Sequence, residues 1–179
     1  MTCLFELSIA LLITLLNGFF VMAEYSLVRI RKSRLDELIR QGKSRANTVL
    51  KMSEKLDTYL SATQLGITAS SLLLGWFGGP LLAEMFRGMF GVSAGTWYDH
   101  SLVFACAFLI IVFLHVVFGE LVPRTIALGK VEQVAMAVAY PLVFFHYLLY
   151  PLVVLFNRIS HAVLCLLGVD PVPDEDISR

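Results

Sequence analysis

The chain has 179 residues, of which 58% are hydrophobic and only 16% are charged. Soluble domains carry about 25% charged residues, so this composition excludes an ordinary soluble domain and an intrinsically disordered chain. Fourteen basic and fourteen acidic side chains give a formal net charge of zero, which does not indicate a basic nucleic-acid binder. The three cysteines have no short spacing and form neither a disulfide framework nor a zinc motif.

Four stretches without aspartate, glutamate, lysine or arginine divide the chain, and each approaches or exceeds the roughly 17–25 residues that cross a bilayer as a helix. They are residues 7–23, 58–83, 100–119 and 133–157. The first stretch follows Glu6 and no lysine or arginine, whereas a signal peptide has a cationic start. We therefore predict an all-α membrane protein with three transmembrane helices, at about 5–28, 58–78 and 100–121.

The basic residues predict the orientation of the chain in the membrane. Between residues 29 and 57 nine lysines and arginines stand against four acids, a net charge of +5. The positive-inside rule places such a short loop in the cytoplasm. We expect a multi-pass protein of the inner membrane, with its N-terminus outside and its C-terminus in the cytoplasm.

The same basic segment is predicted to form an amphipathic helix over residues 33–56, with a break at Gly42. Its apolar residues recur at helical spacing between lysines and arginines. Such a helix can rest its apolar face on lipid while its cations meet anionic headgroups. The alternative is a cytosolic helix packed against the rest of the protein.

The fourth apolar stretch has two interpretations, because Pro141 and Pro151 each remove a helical hydrogen bond. We favour a broken, belt-like helical hairpin over residues 132–167 at the cytoplasmic leaflet. A full fourth span is the alternative. Residues 1–169 then form the transmembrane domain, and residues 170–179, rich in proline and acids, form a linker to a further part of a longer chain.

Polar groups at membrane depth are the candidates for function, because they are costly in lipid and usually face an interior or a water-filled cavity. In the first helix these are Asn17 and Glu24, with Ser26 just beyond; Glu24 could instead be an interfacial residue paired with Arg29. The second helix carries one polar stripe at steps of three and four residues, with Ser70 beside it. The stripe consists of Ser61, Gln64, Thr68, Ser71 and Gly75. A close helix–helix seam is the alternative explanation of this stripe.

The third helix ends in a motif from Gly119 to Arg124 that includes Glu120 and Pro123. The proline ring conflicts with the carbonyl of Gly119, so the helix is expected to break or bend and to free backbone carbonyls. A carboxylate, hydroxyls and free carbonyls are hard oxygen donors, the ligands that Mg²⁺ prefers. Na⁺ can use similar groups at broken helices. The alternative is a surface salt bridge between Glu120 and Arg124.

Catalytic motifs are absent from the sequence: it has no phosphate-binding loop, zinc-protease motif or nucleophile elbow. We therefore predict that the protein is not an enzyme. An intramembrane hydrolase that pairs Ser70 or Ser71 with His115 would need the serine and the imidazole within roughly 3 Å of each other.

Three runs of residues resemble the membrane domain of the CorC/CNNM (cyclin M) family. They are Asn17-Gly-Phe-Phe-Val-Met-Ala-Glu24, Leu60-Ser-Ala-Thr-Gln-Leu-Gly-Ile-Thr68 and Phe118-Gly-Glu-Leu-Val-Pro123. The resemblance covers about residues 5–170, and it includes the bacterial branch labelled hemolysin-like. It implies three membrane helices, a cytoplasmic belt-like hairpin, a homodimer in the lipid bilayer, and a cytosolic pair of CBS modules further along the full-length chain.

The resemblance also implies Mg²⁺ export, with proposed coupling to Na⁺ entry, and no nucleic-acid partner. Carried over by motif, the ion ligands are Ser26, Thr68, Ser70, Ser71, Gly119 and Glu120, with Asn17, Glu24 and Gln64 as further candidates along the ion pathway. The chain departs from the family where many members have asparagine, at Ile67 and Ser71, and where they have lysine, at Arg124. A regulatory protein that senses Mg²⁺ without transporting it is the alternative function.

Overall fold

The computed structural model describes the backbone of residues 2–90 and 97–168, and the side chains of residues 7–78, 105–106 and 108–168. The predicted linker 170–179 lies outside these residues. Over the described residues the chain is all-α, as predicted. The helical elements are α1 (Thr2–Arg29), α2 (Lys32–Arg40), α3 (Ser44–Ser53), α4 (Leu56–Phe90), α5 (Trp97–Leu114), a π-helical segment (His115–Leu121), α6 (Val122–Gly129) and α7 (Val131–Leu166).

Three helical stretches among the described residues are long and apolar enough to cross a bilayer. They are Leu7–Arg29, Phe108–Gly129 and Val131–Leu166. The number of such stretches agrees with the prediction, but the set differs. Residues 58–78 lie within α4, whose described part carries Gln64 and several hydroxyl side chains and does not reach the same hydropathy.

Helix α7 corrects the predicted broken hairpin over residues 132–167. It is one helix of 36 residues, and it continues through both Pro141 and Pro151. Each proline removes one backbone donor, and both lie at exposed positions of a helix that continues past them. By its length and composition α7 fits the alternative of a further span.

The chain folds into two compact units, the first formed by residues 1–21 and 67–124. In this unit Ile13 of α1, Leu74 of α4 and Ile111 of α5 form a buried cluster. Gly78 permits the close approach of α4 and α5, because a Cβ atom there would lie 2.8 Å from Cδ1 of Ile111.

The second unit is formed by residues 22–66 and 125–179, and its core contains the apolar faces of α2 and α3. Leu35, Leu38, Ala46 and Val49 are fully buried, and α3 packs against α7. The apolar positions of the basic segment therefore contact protein, whereas its lysines and arginines are exposed. This packing corresponds to the second alternative for the segment, a helix pair packed on the rest of the chain.

The predicted break at Gly42 is present and separates α2 from α3. Gly42 has a φ of +78°, the left-handed region that glycine adopts without a steric penalty. The N–H of Gly42 donates to the carbonyl of Ile39, and the N–H of Lys43 donates to the carbonyl of Leu38. This pair of hydrogen bonds is a Schellman motif, which ends α2 by satisfying its last carbonyls.

An arginine on α2 connects this helix to the start of α7. Arg34 Nε donates to Oε1 of Glu132 over 2.6 Å and Nη2 donates to Oε2 over 3.3 Å, and the guanidinium also contacts Glu37. The hydrogen bonds that Arg34 donates to Glu132 and then to Glu37 raise the pKa of Arg34 above its ordinary value. Arg34 therefore stays cationic at any working pH and is shared by two neighbouring carboxylates.

Candidate ion-binding site

The helical geometry changes at the motif that contains Glu120. After α5 ends at Leu114, residues His115–Leu121 are π-helical, and the N–H of Val122 donates to the carbonyl of Val117, five residues earlier. The helix was predicted to break or bend at Pro123, and it does not break there, because the π-helical segment leads directly into α6. The wider π-helical turn accommodates Pro123 in the first turn of α6, so that the chain stays helical through the proline.

The carbonyl of Gly119 receives a hydrogen bond from another helix. Pro123 has no N–H to donate to this carbonyl in the α-helical pattern. Nδ2 of Asn17 donates to the Gly119 carbonyl over 2.8 Å, and the contact is buried. Because a carbonyl needs a donor, this bond fixes the orientation of the carboxamide. Oδ1 of Asn17 is then a buried acceptor with no hydrogen-bond partner among the described residues.

Two glycines allow α1 to approach this segment closely. A Cβ atom on Gly18 would lie 2.9 Å from Cγ of Pro123. A Cβ atom on Gly119 would lie 3.1 Å from Nδ1 of His115 and 3.2 Å from Nδ2 of Asn17. The amide and the imidazole therefore flank the same glycine, and a side chain at position 119 would displace one of them.

A histidine that was not among the predicted ion ligands lies beside one of them. Nε2 of His115 is 3.1 Å from Oγ of Ser71, within hydrogen-bond distance. Nδ1 of His115 is buried and has no hydrogen-bond partner within the described part of the chain. If the neutral imidazole accepts a hydrogen bond from the Ser71 hydroxyl at Nε2, the lone pairs of the hydroxyl oxygen remain available to bind a cation.

The structure brings some of the predicted ligands together and leaves others apart. Within the first unit Asn17 contacts Gly119, and Ser71 contacts His115. Asn17, Ser26, Ser70 and Gly119 are buried, Glu24 and Ser71 are partly buried, and Gln64, Thr68 and Glu120 are exposed. Glu24, Ser26 and Gln64 belong to the second unit, where Ser26 Oγ donates to the carbonyl of Ala23 over 3.2 Å.

Glu120 stands one residue from the Gly119 carbonyl, and its side chain is exposed. Among the described residues it forms no ion pair and no hydrogen bond, either with Arg124 or with the hydroxyls of α4. The alternative of a salt bridge to Arg124 is therefore not found. The exposed carboxylate can bind a cation, but it does not share a coordination site with the hydroxyl groups of α4.

The buried face of α4 is displaced by about one position from the predicted polar stripe. Five of the six buried residues in the described part of α4 recur every four positions, and four of these five are small: Ala62, Gly66, Ser70, Leu74 and Gly78; the sixth, Thr63, adjoins Ala62. Of the predicted stripe, Gln64, Thr68 and Gly75 are exposed. Small size marks the packed face of this helix better than polarity does, as at helix contacts in membranes.

The donor chemistry of this region is that of a hard cation. No group of three or more histidine, cysteine, aspartate or glutamate side chains lies together among the described residues. The groups that could bind a metal ion in this region are amide, hydroxyl and carbonyl oxygens, one imidazole and the carboxylate of Glu120. Neutral oxygens with one carboxylate suit Mg²⁺ better than a zinc-type site of thiolates and imidazoles.

Comparison with known proteins decides the family. Residues 7–179 match the family described as the cyclin M transmembrane N-terminal domain. The chain belongs to this family. The resemblance read from the three sequence motifs is thereby confirmed.

Relatives of this cyclin M domain are bacterial and considerably longer. The chain is 39% identical to the UPF0053 protein YhdT of Bacillus subtilis over 165 residues, which cover 92% of the chain and 36% of YhdT. It is 37% identical to the UPF0053 protein YugS of the same organism, over 90% of the chain and 38% of YugS. An uncharacterized protein of Mycobacterium tuberculosis, Rv1841c, is 38% identical over 95% of the chain and 48% of its own length. The chain thus spans between about a third and a half of these relatives.

Proposed function

We propose that this cyclin M domain is the membrane part of a Mg²⁺ exporter, with Na⁺ entry as the coupling step. The observation that carries the proposal is the buried contact between Asn17 and the Gly119 carbonyl, one residue from Glu120. It fixes two oxygen acceptors, the Gly119 carbonyl and Asn17 Oδ1, at a helical turn that also bears a carboxylate. A buried acceptor without a donor is costly, and a cation is one partner that can satisfy it.

Each group has a separate task in this proposal. Glu120 supplies the negative charge that attracts the hydrated cation from its exposed position. Asn17 holds the Gly119 carbonyl in place, and His115 holds the hydroxyl of Ser71 with its oxygen available. Thr68 and Ser70 contribute further hydroxyl or carbonyl oxygens. Together they replace part of the water shell of the ion, and helix movement then opens the site to the other side.

The assembly around the domain follows from the family and is also proposed. Two copies form a dimer in the inner membrane, with the N-terminus of each outside. A cytosolic CBS pair of the full-length protein signals to the membrane part through the basic helices α2 and α3.

Replacing Glu120 with glutamine tests the transport proposal. The substitution keeps the size of the side chain and removes its charge. We expect Mg²⁺ flux into or out of proteoliposomes, followed with a Mg²⁺ indicator, to fall by about 10- to 100-fold, the range seen when metal-site partners are removed. The variant Glu54→Gln is the matched control, because Glu54 is an exposed acid at the end of α3. Unchanged flux in Glu120→Gln would show that the site assignment is wrong, and saturable Mg²⁺ binding by the parent protein without any flux would favour the sensing alternative.

A second candidate function is favoured by one observation, the 3.1 Å distance between Ser71 and His115. A serine–histidine pair at this distance meets the geometric requirement for a nucleophile and its base. The imidazole, however, has no acidic partner at Nδ1 within the described part of the chain. We therefore expect no labelling of Ser71 by a fluorophosphonate probe, measured by mass spectrometry against Ser71→Ala. Labelling of the parent protein and not of the variant would revive the hydrolase.

A further inference from the structure

The second unit contains a polar groove where α1 ends and both α2 and α7 begin. We call it the arginine groove; its volume is about 430 Å³, and the residues that matter to the argument are Arg29, Arg31, Ser33, Arg34, Glu37 and Glu132. The groove lies outside the proposed ion ligands. Its composition, three guanidiniums against two carboxylates, is unlike the apolar cavity of about 270 Å³ in the first unit.

Both acids of the arginine groove are paired with one arginine, and the three arginines and two acids leave the groove with a net positive charge. Arg34 makes two hydrogen bonds to Glu132 and contacts Glu37. Arg29 and Arg31 are exposed and form no ion pair or hydrogen bond through their side chains with another described residue. The groove therefore presents two free guanidiniums, each of which can bind a phosphate through two parallel hydrogen bonds.

Two helix starts add to the positive potential of the groove. α2 begins at Lys32 and α7 begins at Val131, and neither has a side-chain hydrogen bond that caps its first turn. The N–H groups of an uncapped first turn are donors, and the helix dipole favours an anion beside them. Ser33 lines the groove and adds a hydroxyl donor. The backbone N–H groups, the Ser33 hydroxyl and the free guanidiniums can therefore bind the same anion.

The position of the groove indicates which kind of anion it binds. The apolar stretch of α1 that can cross the bilayer ends at Arg29, one of the residues that line the groove. A groove at this level lies where phospholipid headgroups lie, and basic residues next to a membrane helix are attracted to anionic lipid. We propose that the arginine groove binds the phosphate headgroup of an anionic phospholipid. The proposal does not depend on Mg²⁺ transport.

Lipid titration of the purified, detergent-solubilised chain tests this proposal. The probes are dioctanoyl phosphatidylglycerol, dioctanoyl phosphatidylcholine and inorganic phosphate, and native mass spectrometry counts the bound molecules. The test variant is Arg29→Gln/Arg31→Gln. The control variant, Lys51→Gln/Lys55→Gln, removes the same charge from exposed positions outside the groove. All four side chains are exposed, so both variants are expected to keep the helical circular dichroism of the parent.

We expect saturable binding of phosphatidylglycerol that is at least tenfold tighter than that of phosphatidylcholine. We expect the arginine double variant to weaken phosphatidylglycerol binding by about 30-fold. Each of the two arginines accounts for about a fivefold gain in affinity, which corresponds to about 1 kcal/mol for one basic residue near an anionic surface. The lysine double variant should change the same binding less than threefold. Equal losses in the two variants would mean that only the diffuse charge of the segment matters. Equal binding of the two lipids, or competition by inorganic phosphate at the concentration of the lipid, would also overturn the proposal.

Discussion

Replacing Gly119 with valine is expected to destabilise the first unit by about 3 kcal/mol, through overpacking and a lost buried hydrogen bond. The new Cβ atom would lie 3.1 Å from Nδ1 of His115 and 3.2 Å from Nδ2 of Asn17, so at least one of these side chains must move. If Asn17 moves, the Gly119 carbonyl loses its buried donor. The measurement is the free energy of unfolding in mixed micelles, followed by circular dichroism.

Gly75→Val is the matched control for this experiment. Gly75 belongs to the same unit and also lies within a helix, but a Cβ atom there has nothing within 4 Å. Valine and glycine differ little in an exposed helix, so we expect a change within about 0.5 kcal/mol. If the two variants unfold alike, the close contact between Gly119 and its two neighbours does not exist in the folded protein.

Replacing Leu35 with alanine is expected to destabilise the second unit by about 3 kcal/mol. Leu35 is fully buried on α2, and truncation removes the transfer free energy of the lost methyl groups and leaves a cavity. The same mixed-micelle unfolding measurement applies. Since α2 and α3 pack together, we expect earlier proteolysis within the basic segment of this variant as well.

The control is Leu155→Ala on α7, because Leu155 belongs to the same unit and is 52% exposed. We expect its effect to stay below about 1 kcal/mol. Equal destabilisation by the two substitutions would show that the apolar face of α2 does not pack on the protein. The face would then rest on lipid or detergent, the other alternative that the sequence allowed.

The local elements of the basic segment were predictable because their signals are local. Leu35 and Leu38, and likewise Ala46 and Val49, recur at helical spacing, and the structure buries them. Gly42 interrupts the pattern, and its positive φ is a backbone state that most other residues avoid. The partner of the apolar face was not predictable, because lipid and a protein core are equally apolar.

The prolines show where a local signal leaves the outcome open. A proline removes a donor, but the sequence does not state how the chain compensates. At Pro123 the compensation is a π-helical turn and a side chain from α1, and at Pro141 and Pro151 the helix simply continues. To predict which of these outcomes occurs, one needs the positions of the neighbouring helices, and a single sequence does not give them.

Sequence patterns brought only part of the candidate site's geometry within reach of prediction. Asn17 and Gly119 were both among the predicted residues, and they are in contact. The sequence pointed to His115 only as the partner of Ser70 or Ser71 in a hydrolase, and not as a neighbour of the ion ligands. Its contact with Ser71 depends on how α4 lies against the π-helical segment, although a lone imidazole in an otherwise apolar run was a signal that could have marked it.

The π-helical segment also makes the chain sensitive to its own winding. A π-helical turn holds about one residue more than an α-helical turn. Rewinding His115–Leu121 into regular α geometry, with no change of sequence, would rotate the residues that directly follow the segment by about 100° about the helix axis and lengthen the helix by about 1.5 Å. The Gly119 carbonyl would turn with the segment, so the buried hydrogen bond that it receives from Asn17 opposes this change.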